Sequence, residues 1–500
     1  MNNKKLLKNT VLLTAFSVIM RIIGLGFQVY ISNSVGAAGI GLYQLVMSVH
    51  ALAITVATSG VRFAVTRIIA EILGRRRPGD VRRAVLCCFA YAAFFGTLAF
   101  TLVFFNSSFL AAHWAGDIRA AEPIRILSCG LIFISLTTVI GGYFTAVGRV
   151  GRAALIQLFE QLVMICCTLW LLPRSGGGMT QSCCALARAS VISDAAVFLI
   201  SISVFALDVR RYGRARGGQS CLSRLVSISL PLAASAYART ALSTLQHMLT
   251  PAGLRKSGAT ADEALAVYGS IHGMVFPVIA FPSALFASIA ELMIPELTEY
   301  QVSGRHEKAA ETVNGVLRLC LSFSVCCAVI LFFFGRDIGS ALYRQSQAGE
   351  YIRLLSPLVI IMYMDTVTDG MLKGLGQQLW SMGINIADAA ISLAMVFFLL
   401  PLYAIRAYIF IIFFSECFNF ALSIYRLSRL VHISLTAGDI LRPLLCALCA
   451  VNLSSLALRL LRLGPTRPAL FCAVLLSALI CLILLRLLLP KAPVPRISGK

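Results

Sequence analysis

The stretch MRIIGLGFQVYIS, Met20 to Ser32, closes an otherwise apolar run that begins at Thr10. An apolar helix needs about 20 residues to cross the hydrocarbon of a bilayer, and the run from Thr10 to Ile31 is that long. Arg21 nevertheless sits near its middle, and Gln28 follows two helical turns later on the same helix face. The run therefore fixes a membrane fold and poses its own question: what a guanidinium does where there is no water.

The rest of the chain repeats the pattern. Of its 500 residues 59% are hydrophobic and only 13% charged, against about 25% charged in a soluble domain; mean hydropathy is +0.86. The length rule gives fourteen spans: 10–31, 39–61, 84–106, 124–146, 154–173, 183–206, 225–249, 265–290, 313–334, 352–373, 380–402, 404–424, 441–461 and 469–489. Their runs are continuous rather than alternating, so the expected class is an all-α polytopic membrane protein and not a barrel.

A net charge of +22 would suggest nucleic acid in a soluble protein. Here it reads as loop charge that sets orientation, and no nucleic-acid partner is expected. With the N-terminus in the cytoplasm, the inside loops hold more than twice as many Lys and Arg as the outside ones, the richest being GRRRPGDVRR (Gly74 to Arg83) and DVRRYGRARGG (Asp208 to Gly218). Both termini are then cytoplasmic. Lys4, Lys5 and Lys8 before an apolar run resemble a secretory signal, but no small-residue cleavage site follows, so the run is read as a retained first helix. The sixteen cysteines fall mostly inside spans, where they serve as small apolar filler; even Cys446 and Cys449, a CxxC, lie in an apolar helix.

The chain also repeats itself. A shift of 228 residues lays EPIRILS (Glu122 to Ser128) on EYIRLLS (Glu350 to Ser356). It continues without gaps through Gly142 on Gly370, Gly148 on Gly376, Glu160 on Asp388 and Pro173 on Pro401. A shift of 218 lays Arg21 on Arg239 and Gln28 on Gln246. Two six-helix lobes, 1–215 and 216–430, are expected, with two added helices and a tail in 431–500. Six spans per lobe give both lobes the same orientation, the parallel-repeat arrangement of transporters. No loop is long enough for a soluble catalytic domain, and segments 74–83 and 304–314 are expected as short surface helices.

Arg21 and Arg239 are the basic residues set deepest in spans. Each costs about 2.5–3.5 kcal/mol at the bilayer centre on insertion scales, so neither should face lipid. Two readings stay open: a cationic cavity between the lobes that holds an anion, or an arginine in each lobe that neutralises an acid of its own. Acids for the second reading are Glu160, Asp194, Asp365, Asp369, Asp388 and Glu416, with Arg188 and Lys373 as other partners. Asn385 and Asp388, one turn apart, together with Asp365 form a candidate site for a coupling Na+ or proton, since oxygen ligands suit a hard cation. Arg62 and Arg67, at the end of the second span, are candidates to meet a phosphate at the cytoplasmic mouth or are ordinary interface charges. Pro277 and Pro282 should kink their span.

The residues MRIIGLGFQVYISNSVGAAGIGLYQLVMSVHAL, then TSGVRFAVTRIIAE, and IPELTE at Ile294 to Glu299 resemble the stage V sporulation protein B branch of polysaccharide exporters. That branch lies in the multidrug/oligosaccharidyl-lipid/polysaccharide exporter superfamily and is related to lipid II flippases. The resemblance implies a two-lobed carrier, not an enzyme, that moves an undecaprenyl-pyrophosphate-linked sugar or peptidoglycan precursor across the bacterial cytoplasmic membrane. It implies alternating access, no cofactor beyond Na+ or H+ coupling or the membrane potential, and membrane lipids as its other partners. A monomer is expected. By resemblance Arg21 and its repeat partner Arg239 hold the pyrophosphate, and the last two helices hold the lipid tail; the helix-face reading adds Gln28 and Gln246 to the candidate substrate residues, with Arg62 and Arg67 at the cytoplasmic mouth. Some relatives bind Na+ with an acid on the seventh helix; span 225–249 has none. The rival readings are a cation-coupled multidrug exporter of the same superfamily and a membrane sugar-lipid polymerase.

Overall fold

The computed structural model describes residues 3–74, 80–210, 221–343, 347–460 and 467–488. Among the described residues there are helices and turns but no strand. In chain order the main helices are α1 (Asn3–Thr58), α2 (Val61–Gly74), α3 (Asp80–Phe105), α4 (Ala121–Ser128), α5 (Gly130–Ala146), α6 (Val150–Leu171), α7 (Met179–Val209) and α8 (Cys221–Lys256). They continue as α9 (Ala261–Gly269), α10 (Ala284–Val302), α11 (His306–Leu342), α12 (Gln347–Leu355), α13 (Leu358–Gly374), α14 (Gln378–Ser428), α15 (Gly438–Leu460) and α16 (Arg467–Leu488).

The chain is a multi-pass membrane protein. Among the described residues nine helices are long and apolar enough to cross a bilayer, or up to eleven if each of two bent pairs is one span. Two of these runs, Ile19–Leu73 and Gln378–Ser428, have 55 and 51 residues, more than twice what one crossing needs. Each is broken inside: Gly36 at φ 79° interrupts α1, and Ala404 at φ 49° interrupts α14 shortly after Pro401. Gly36 meets no steric penalty in that left-handed region, whereas Ala404 does. The expected span 225–249 lies in α8, the most polar of the long helices, with Ser227, Ser229, Arg239, Thr240, Ser243, Thr244, Gln246 and His247 along it. Large apolar side chains stand outward elsewhere, such as Phe105 at 74% and Phe398 at 67% exposure, as a lipid-facing surface requires.

The described residues sort by proximity into two units. The early unit is Ser34–Gly269 with Val396–Leu402; the late unit is Met1–Asn33, Ser270–Met395 and Tyr403–Lys500. The expected lobes 1–215 and 216–430 cut the chain elsewhere. The segment before Asn33 belongs with the late unit because Gln28 Nε2 and Ser32 Oγ both donate to Gly273 O, at 3.0 and 3.3 Å, and Asn33 Nδ2 donates to Leu342 O at 2.7 Å. Helix α8 belongs with the early unit, where Thr244 Oγ1 donates to Ser48 O at 3.1 Å and Arg255 Nη1 to Gly116 O at 2.9 Å. The region 431–500 contributes α15 and α16 to the late unit rather than standing apart.

In the early unit, α2, α3 and α5 close a core around Val65, Ile69, Cys88, Tyr91, Tyr143 and Phe144. Helix α1 crosses α9 at two glycines: a methyl on Gly41 would overlap Leu265 O, and one on Gly269 would overlap Ala37 O. Between α1 and α2, Ser59 holds φ 39°, a region unfavourable to it. Hydrogen bonds of its hydroxyl to Val56 O and the Tyr237 hydroxyl, and of its carbonyl from Tyr91 Oη, hold that turn.

In the late unit, α11 packs with α15 and α16 around Val329, Ile330, Phe334, Cys326, Cys446 and Cys481, which are cysteines in the filler role expected of them. The span 261–302 is interrupted by a π-turn at Ser270–Val275 and a 3-10 turn at Phe281–Ser283, on either side of Pro277 and at Pro282. Segment 304–314 is not a separate surface helix; from His306 onward it is the first turns of α11. Residues 75–79 of the matching segment lie outside the described residues.

Candidate functional site

The span-embedded arginines are one to a unit, Arg21 on α1 in the late unit and Arg239 on α8 in the early one. Both are exposed. Among the described residues neither forms an ion pair with a span acid or with any other carboxylate. Arg188 reaches Glu122 at 3.7 Å, Lys373 takes Asp369, and Asp388 is bound by serine. The reading in which each arginine neutralises an acid of its own lobe therefore has no geometry here.

The accompanying residues divide. Gln28 spends an amide N–H on Gly273 O, at the π-turn, so it ties α1 to its own unit. Gln246 is half-buried, and its main-chain carbonyl accepts from Thr250 Oγ1 at 2.8 Å. Arg67 Nε pairs with Glu71 Oε1 at 3.2 Å one turn on, and Glu71 also takes Arg224. Arg62 is exposed and stands on the wall of a cavity of about 370 Å3 inside the early unit.

That cavity is polar for a membrane bundle. Helix α5 contributes Thr137 and Thr138, α6 Gln157 and Glu160, and α7 Asp194 and Ser201. Thr137 Oγ1, Asp194 Oδ2 and Ser201 Oγ are buried and have no hydrogen-bond partner. A buried polar atom without a partner is costly, by about 1–3 kcal/mol, so three facing one space mark a place kept for something polar. Gly130 makes room for the Asp194 carboxylate, because a Cβ there would stand 2.6 Å from its Oδ2.

The late unit carries a second nest. Asp388 on α14 accepts from Ser415 Oγ at 2.8 and 2.9 Å and from Ser392 Oγ at 3.4 Å. Asn385 Oδ1 accepts from Asn419 Nδ2 at 3.3 Å. Asp365 on α13 bonds Ser423, and its Oδ1 is buried with no hydrogen-bond partner. Asn385, Asp388 and Asp365 thus belong to one cluster, which Glu416, beside Ser415, extends.

The two nests occupy corresponding positions of the sequence repeat. Under the shift of 228, Thr137 falls on Asp365, Gln157 on Asn385 and Glu160 on Asp388. A shift of 222 then lays Ser193-Asp194 on Ser415-Glu416 and Ser201 on Ser423. Ser193 Oγ donates to Glu160 O at 2.9 Å where Ser415 donates to the Asp388 carboxylate. The serines escaped the sequence reading; the second shift is the signal that finds them.

Residues 6–301 match the family model described as polysaccharide biosynthesis protein, and residues 257–398 match MatE. The chain belongs to the polysaccharide biosynthesis protein family. The resemblance read from its N-terminal motifs is thereby borne out. The chain is 22% identical over 409 residues to stage V sporulation protein B of Bacillus subtilis (strain 168), covering 80% of this chain and 78% of that one. To the lipid II flippase MurJ of the same organism it is 22% identical over 416 residues, 75% and 74% of the two chains. Among solved structures, the lipid II flippase MurJ in an inward closed conformation aligns with a TM-score of 0.74, at 11% identity, over 95% of this chain and 98% of that one. That likeness is one of fold.

Proposed function

We propose that this polysaccharide biosynthesis family member is a flippase. It carries an undecaprenyl-pyrophosphate-linked oligosaccharide or lipid II-like peptidoglycan precursor from the inner to the outer leaflet of the bacterial cytoplasmic membrane. The observation that carries the reading is the pair Arg21 and Arg239: matched in the repeat, one to a unit, exposed, and without an acidic partner among the described residues. An uncompensated guanidinium at that depth is expensive, and a diphosphate returns the expense because the forked donors of arginine match its oxygens. The isoprenoid tail crosses hydrocarbon without help; the charged headgroup is what needs a carrier. The name of one relative, a lipid II flippase, agrees with such a cargo.

Alternating access moves the headgroup, with both termini in the cytoplasm. The nest of Asn385, Asp388 and Asp365 is the proposed seat of a coupling Na+ or proton, and the uncommitted oxygen of Asp365 is the feature that supports it. The test is reconstitution into vesicles with a labelled lipid II, followed by the accessibility of its headgroup from outside, beside an export assay with a cationic dye. Headgroup movement without dye export supports the proposal. Dye export without headgroup movement assigns the chain to the drug-exporter branch and ends it.

A further inference from the structure

A different feature of the early unit points to a second lipid. At the ends of α6 and α7, Asp208 is 2% exposed and saturated: Tyr143 Oη donates to its Oδ2 at 2.7 Å, Arg152 Nη1 to its Oδ1 at 3.0 Å, and Arg149 forms an ion pair with it. Two guanidiniums share one carboxylate, which leaves one positive charge over. Arg152, with its side chain 40% exposed, carries that excess to one end of a groove of about 390 Å3.

The rest of the groove is apolar. Leu155, Ile156 and Phe159 follow Arg152 at helical spacing along α6, and Leu207, Val204 and Ile200 run back from Asp208 along α7. Ile156 and Val204 form the floor, packed on the core, while Leu155 and Leu207 stand 62% and 68% exposed as the rims. Seven residues of helix extend the apolar part by about 10 Å, away from the Arg152 end and into the span that begins at Ala154. A cation at the membrane boundary followed by a hydrocarbon-lined slot fits an amphiphile with an anionic head. Basic pockets between membrane helices take acidic phospholipid headgroups for this reason. The other half of the repeat is built differently: Arg149 and Arg152 fall on Gln377 and Trp380, and Asp208 on Leu430, while Arg426 is held by Gln377 at 2.8 Å and stacks 4.9 Å from Trp380, and Arg429 lies over Tyr425.

We infer that this groove is a binding site for an anionic glycerophospholipid of the membrane, its phosphate on Arg152 and one acyl chain lying between α6 and α7. The site is separate from Arg21 and Arg239, so it stands or falls apart from the flippase reading. The test places the full chain in nanodiscs of equal phosphatidylglycerol and phosphatidylethanolamine and counts the lipids it retains by native mass spectrometry. Wild type should retain phosphatidylglycerol in preference. Arg152→Gln should weaken that retention by about fivefold, as loss of one interfacial cation does, and Arg152→Glu should weaken it further. Val204→Phe, which fills the floor and leaves the charges in place, should also release the lipid while the unfolding temperature stays near that of wild type.

Equal retention of the two lipids by wild type, or wild-type retention by all three variants, would overturn the inference. So would displacement of the lipid by inorganic phosphate with no effect of Val204→Phe, which means a bare anion site. Preferential retention of a polyprenyl phosphate offered in the same disc would assign the groove to the cargo instead.

Discussion

Replacing Arg21 or Arg239 by alanine separates a functional guanidinium from a structural one. Because neither pairs with a carboxylate among the described residues, truncation leaves no acid orphaned, and both side chains are exposed. The cost to folding should then stay within about 0.5 kcal/mol, as for surface changes, with some relief of the insertion penalty of about 2.5–3.5 kcal/mol. Transport should behave otherwise. A hydrogen bond to a charged group contributes about 1.5–3 kcal/mol, so losing one guanidinium should weaken headgroup binding by roughly tenfold to a hundredfold. Lysine keeps the charge and loses the fork, and should fall between. The assay pairs initial rates of headgroup translocation in vesicles with thermal unfolding of the same preparations in detergent. Variants that translocate at the wild-type rate, or that lose rate only in proportion to lost folded protein, would refute the reasoning.

Three further outcomes follow from the packing and the nests. Asp208→Ala should cost about 3–5 kcal/mol in thermal unfolding, because it strands two arginines and the Tyr143 hydroxyl. Gly41→Val should lower stability by about 1–3 kcal/mol, the usual toll of overpacking, since its side chain would overlap the Leu265 carbonyl on α9; Gly304→Ala, with nothing within 4 Å of its Cβ but φ 67°, should cost about 1–2 kcal/mol from its left-handed backbone alone. Asp388→Asn should remove any dependence of translocation on Na+ or proton gradients while leaving headgroup binding in detergent intact, and binding lost along with the gradient dependence would place Asp388 in the cargo site.

Much of this was legible in the sequence because hydrocarbon thickness imposes a length and forbids charge. That is why the spans and the exceptional arginines stand out from composition alone. The unit boundaries were hidden, since a short left-handed break at Gly36 decides where α1 divides, and a glycine among many carries no mark of its conformation. Gln28 looked like a site residue by its spacing from Arg21, but spacing cannot reveal that Gly273 offers a carbonyl at the π-turn. The serines of the nests were hidden for a related reason. A helical serine ordinarily bonds its own preceding turn, and nothing in its neighbours shows that Ser415 turns to Asp388 instead. Their register was masked as well: the early half carries extra residues around Arg174-Ser175-Gly176-Gly177-Gly178, which change the repeat shift from 228 to 222 before Ser193 is reached.

The most direct measurement compares two cargoes in the same vesicles: a polyprenyl-diphosphate saccharide and an uncharged polyprenyl glycoside with the same sugar and tail. If guanidiniums gripping phosphate are what the carrier works by, the diphosphate form crosses and the neutral form stays behind. Equal rates for both would show that charge plays no part in recognition.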